Sequence, residues 1–184
     1  MAGTNASIRA LHDLLANTRI PDKALGKHIL ELTGRNDRLV AVVCGALVER
    51  NLQGLLESVM PNGPGSLFEP LLPLGSFSAK IKLAYSLNLI NADIRRNADY
   101  IREIRNTFAH RIAPTSFRTK EVAAVCRLLF VGKEGNRIPK NMRGRYSLVA
   151  METGAALTRK RYAAAGSPPA SFPEKLTLLR FHGR

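Results

Sequence analysis

The chain contains no tryptophan, and aromatic side chains make up only 6% of its 184 residues. β-Sandwiches and barrels draw on aromatic and β-branched residues in alternating runs. No alternation long enough for a strand is present, and no internal repeat. Cysteine is almost absent: Cys44 and Cys126 stand far apart in apolar helical runs. This argues against a disulfide framework and for buried free thiols in a reducing compartment. The four histidines, at 12, 28, 110 and 182, show no His-x3-His spacing, so no metal site is expected. The longest nearly uncharged apolar run, "LVAVVCGALV" at 39–48, is about half the ~20 residues that span a bilayer. No apolar segment follows a basic stretch near the start, so no signal peptide is expected, and the expected location is the cytoplasm.

Acidic residues are the other shortage. Asp and Glu number 14 against 28 Lys and Arg, a formal net charge of +14. Residues 132–184 hold 11 of the basic residues and only 3 acidic ones, so the last third is the most positive part of the chain. A polyanion is the natural partner for such a surface, nucleic acid first, with an acidic protein or anionic lipid as the other candidates. A charge that merely keeps the chain in solution is the plainer reading.

What is plentiful is helical patterning, and the expected fold class is all-α: a bundle of six to seven helices over residues 1–165, followed by a Pro-containing, basic, flexible tail at 166–184. Ile8, Leu11, Leu14 and Leu15 recur at helical spacing, and so do Leu25, Ile29 and Leu32 after Pro21. Asn36 or Asp37 can cap a long helix that runs to about Met60, where Pro61 and "NGPG" stop it. Residues 61–75 form a loop whose Leu67, Phe68, Leu71 and Leu72 would be costly to expose. Helices are expected at 76–90, from Asn91 as cap to about His110, at 116–130 and at 147–165. A basic loop at 132–146 separates the last two.

The helix at 92–110 carries the candidate site. Ile94, Ala98, Ile101, Ile104 and Phe108 form one stripe for the core, while Asn106 and His110, four apart, project from nearly the opposite side. Arg105 could hold a phosphate, His110 could move a proton near neutral pH, and Asn106 could orient His110 or bind the scissile phosphate. Arg105 and His110 are five positions apart, so two copies related by a two-fold axis would assemble such a cleft more easily than one. The alternative is a surface histidine favoured by the helix dipole. Other chemistry has little support. "PNGPGS" lacks the Gly-Lys-Ser/Thr of a phosphate loop, no Gly-x-Ser-x-Gly is present, and no cofactor is expected. Asp99 and Glu103 stand among Arg95, Arg96 and Arg102, as a solvated ion-pair network would.

"PLGSFSAKIKLAYSLNLI" followed by "IREIRNTFAH" resembles the signature of the mannitol operon repressor family. The matching residues are Gly75, Phe77, Ser78, Lys80, Ile81, Leu83, Ala84 and Tyr85, then Ile101, Arg102, Ile104, Arg105, Asn106, Phe108, Ala109 and His110. The resemblance extends over about 37–130, weakens through 147–165 and fades in the tail. It implies an all-helical fold and a role in transcription regulation without a helix-turn-helix. Arg105-Asn106-x3-His110 is in addition similar to the Arg-x4–6-His motif of HEPN domains, helical proteins that often dimerise and include metal-independent ribonucleases.

Two functions are therefore expected in competition. One is a repressor-like regulator, a homodimer acting through a protein or nucleic-acid partner. Lys133, Arg137, Lys140, Arg143 and Arg145 of the basic loop, with Arg159, Lys160 and Arg161, would supply its phosphate contacts. The other is a ribonuclease using Arg105, Asn106 and His110.

Overall fold

The computed structural model describes residues 36–132 and 138–166, and the helical spacings read from Ile8 to Leu15 and from Leu25 to Leu32, the tail beyond Gly166, and Lys133 and Arg137 lie outside them. Among the described residues there are five helices and no strand: α1 (Asp37–Ser58), α2 (Phe77–Ser86), α3 (Ala92–His110), α4 (Lys120–Leu128) and α5 (Met142–Ala164). The all-α expectation holds.

Local chemistry sets most of the ends. Asn36, Ser76 and Asn91 each accept a hydrogen bond from a backbone N–H three residues on, at Leu39, Ala79 and Ile94, which satisfies an N-terminal donor that has no partner within its helix. α2 stops at Ser86, short of the expected Ile90, because Asn88 takes a left-handed φ of 56°. The N–H groups of Asn88 and Leu89 then donate back to the carbonyls of Tyr85 and Ala84, the pairing that closes a helix around a left-handed residue. α4 is likewise shorter than 116–130, since Ser116 and Thr119 close a turn before it.

The larger correction concerns the last helix. It begins at Met142 instead of Ser147, so the loop between α4 and α5 ends at Asn141. The Asn141 carboxamide caps it by accepting from the Gly144 N–H at 2.6 Å, and Gly144 lies so close to Pro139 that a Cβ would approach its ring to 2.8 Å. Arg145 and Tyr146 are thereby placed on a helix, with fixed directions.

The core lies where α1, α3 and α5 meet. α1 packs most extensively on α5, then on α3. By length and hydropathy α1 could cross a bilayer, yet nine of its residues, from Val40 to Leu56, are buried within the bundle. Phe117 packs between Phe108 (4.9 Å) and Tyr146 (5.2 Å), its ring tilted to both. Tyr146 is fully buried and its hydroxyl donates to the Ala41 carbonyl at 2.8 Å; burying that ring without the bond would leave the hydroxyl at a cost of about 1–3 kcal/mol. The α3 stripe faces this core as the spacing requires: Ala98, Ile101, Ile104 and Phe108 are buried, and Ile94 packs at its edge.

The loop at 61–75 departs from expectation. Phe68 packs against the core, but Leu67, Leu71 and Leu72 are exposed.

Candidate functional site

Arg105 is the part of the candidate site that the fold holds most firmly. α3 approaches α1 at Gly45, where a Cβ would meet the Arg105 Cβ and Cγ at 2.8 Å, so the start of the arginine side chain lies on bare helix backbone. From there its guanidinium reaches Glu49: Arg105 Nη2 to Glu49 Oε2 is 3.1 Å. The other carboxylate oxygen accepts from Lys80 Nζ at 2.9 Å. One acid thus joins cations from α2 and α3 to α1. Lys80 is only 6% exposed at its side chain, and its ammonium also faces the Phe68 ring at 5.9 Å. Without Glu49 that charge would be stranded in an apolar surround.

Asn106 accepts from Arg105 Nη1 at 3.0 Å. His110 sits exposed on the last turn of α3, beyond the ion-pair cluster. The structure brings the Arg105 and Asn106 side chains together, and His110 is exposed one turn beyond Asn106 on the same helix. Arg102, on the same helix, pairs with Glu103, while its Nε is buried without a hydrogen-bond partner. Asp99 and Glu103 are in the expected ion pairs: Arg95–Asp99 at 3.9 Å, and Glu103 on Arg102.

Glu49, and the pairing of Lys80 with it, are what sequence reading passed over. The available signal was Glu49 itself, the one acid after Asp37 in the apolar run up to Glu57. A carboxylate on a helix that is otherwise core requires a cation across from it, and Lys80 on the nearly all-apolar α2 is the matching anomaly.

The described basic residues divide in the same way. Arg145 is committed to the end of α4: its Nε donates to the Cys126 carbonyl at 2.9 Å, and its Nη2 donates to the carbonyls of Leu129 (2.6 Å) and Arg127 (3.2 Å). A guanidinium fork there supplies donors to carbonyls at the helix end, that of Cys126 alongside a long 3.4 Å bond from the Leu129 N–H, and sits favourably at the negative end of the dipole. Arg143 faces Asp37, Nη1 to Oδ1 at 3.6 Å. Arg161 is exposed, with its guanidinium lying over α1 at Gly54. Lys140, Arg159 and Lys160 are exposed.

Burial pushes the Cys44 thiol up to about 12, against a smaller opposing effect of its hydrogen bond to Ser147. Cys126 is also pushed up to about 12 by burial, opposed by the positive charge of Arg145. Both thiols are neutral and poor nucleophiles at physiological pH. Among the described residues, no group of three His, Cys, Asp or Glu is placed to hold a metal ion.

No protein-family model matches the chain, and no curated protein matches it. One solved structure does: the X-ray structure of the MtlR–HPr complex from Escherichia coli. It matches at 19% sequence identity with a TM-score of 0.52, covering 77% of this chain and 99% of that one. The likeness is one of fold. It spans nearly the whole of the matched chain.

Proposed function

We propose that the chain is a transcriptional regulator of the mannitol-operon-repressor type, a cytoplasmic homodimer that acts through a protein or nucleic-acid partner without a helix-turn-helix. The fold likeness to the MtlR–HPr complex carries this reading, and the sequence resemblance over 37–130 points the same way. HPr is the partner in that neighbour, so an HPr-type protein is the first partner to try. A nucleic-acid contact would use the exposed Lys140, Arg159, Lys160 and Arg161 together with Arg143, Lys133 and Arg137, without Arg145, which is held by carbonyls at the end of α4. The ribonuclease alternative has less support, because the Arg105 guanidinium is already engaged by Glu49 and Asn106.

The test is titration of the purified chain with HPr and, separately, with a mixed-sequence DNA duplex at several salt concentrations. Saturable binding of HPr supports a protein-mediated regulator. DNA binding that weakens with log salt, with a slope reduced by about 0.9 per cation removed at Arg159→Ala or Lys160→Ala, supports a nucleic-acid contact. Binding of neither overturns the reading. RNA cleavage in chelator that is lost in folded His110→Ala would replace it with the ribonuclease.

A further inference from the structure

The loop between α1 and α2 has features that neither the core nor the basic surface accounts for. Its backbone is closely folded. Leu67, Glu69 and Leu72 donate in turn to the carbonyls of Pro64, Ser66 and Glu69, and the Leu74 N–H returns to the Leu67 carbonyl at 3.0 Å. Gly75 seals it, since a Cβ there would lie 2.4 Å from the Glu69 carbonyl oxygen. The loop is therefore a built element with a set shape.

What it displays is apolar. Leu67 is 41% exposed, Leu72 39%, and Leu71 is fully exposed. Leu71 also holds a φ of 73°, in the left-handed region that disfavours any side chain with a Cβ. Within one copy Leu71 gains neither burial nor a relaxed backbone. Strain retained together with exposed apolar surface marks a contact face.

Charge narrows the occupant. Residues 51–79 contain no Lys or Arg and two acids, Glu57 and Glu69, in a chain with 28 basic residues. The loop itself offers a polyanion no cation, and Lys80, which faces Phe68, is buried on Glu49. Two copies of a chain of net charge +14 repel one another over most of their surfaces, and least where cations are missing. We infer that this loop is the contact face of a homodimer, with Leu67, Leu71 and Leu72 of one copy packing against the same loop of the second copy across a two-fold axis. The inference rests on the homodimer in the reading above and places its contact away from Arg105 and His110.

Sedimentation equilibrium of the full chain over a micromolar range tests it. The parent is expected to dimerise, more tightly as added salt screens the repulsion, and Leu71→Asp or Leu72→Asp to weaken the dimer at least tenfold. Leu71→Gly guards against a folding artefact. Glycine accepts the left-handed φ without strain, so this variant should weaken the dimer while raising the unfolding midpoint of the dilute, monomeric protein. A monomeric parent overturns both the face and the homodimer. A dimer that all three variants leave intact overturns the face and spares the homodimer. Failure to bind HPr or DNA by a dimer that these variants do weaken would overturn the regulator and spare the face.

Discussion

Lys80 and Arg105 near the core and Arg159 and Lys160 near the end of α5 are the same two residue types in opposite circumstances. The first pair converges on a single carboxylate, that of Glu49, from two helices, and Lys80 is almost wholly covered. The second pair stands in water. A buried cation is tied to its partner because desolvation makes an unpaired charge expensive, whereas an exposed one costs and contributes little to folding and stays available to a ligand. A net charge of +14 therefore overstates the surface open to a polyanion: part of it is structural, in Lys80, Arg105 and Arg145.

The sharpest way to break this comparison is Glu49→Ala. It leaves Lys80 buried without its carboxylate and should cost about 3–5 kcal/mol, the range for removing one partner of a buried pair, seen as an early denaturant midpoint. A loss under 1 kcal/mol would mean that Lys80 turns out to solvent and that the cluster is not structural. Arg145→Ala comes next. It releases three carbonyls at the end of α4 and should cost about 2 kcal/mol. Arg145→Lys should recover little of that, since one ammonium cannot reproduce the fork; full recovery would reduce the role of Arg145 to its charge. The smallest effect belongs to the Arg159→Ala, Lys160→Ala double variant, whose thermal stability should stay within about 0.5 kcal/mol of the parent. A larger loss would place these residues with the structural cations.

Much of the helical frame was legible before any coordinates. Asn36 and Asn91 read as caps and act as caps, and the Ile94-to-Phe108 stripe is the face α3 turns inward. Boundaries failed where a tertiary contact or a left-handed residue decided them. Asn88 ends α2 early, and packing at Gly144 against Pro139 accompanies a start of α5 five residues ahead of Ser147. The leucines of the 61–75 loop were expected to be covered, because apolar residues usually are; the folded loop turns Phe68 in and leaves Leu67, Leu71 and Leu72 out.

The candidate site was legible as residues but not as an arrangement. Arg105, Asn106 and His110 could be placed on one helix by counting turns, because helical periodicity is a local property. That Arg105 would be held by Glu49, 56 positions earlier, follows from the approach of α3 to α1 at Gly45. By itself the sequence determined an all-helical chain with an excess of positive charge, through propensity, capping and spacing that act within a few residues. Only the tertiary structure decided which of those charges are spent in ion pairs and helix ends and which face solvent, because desolvation is set by what the rest of the chain packs around each group.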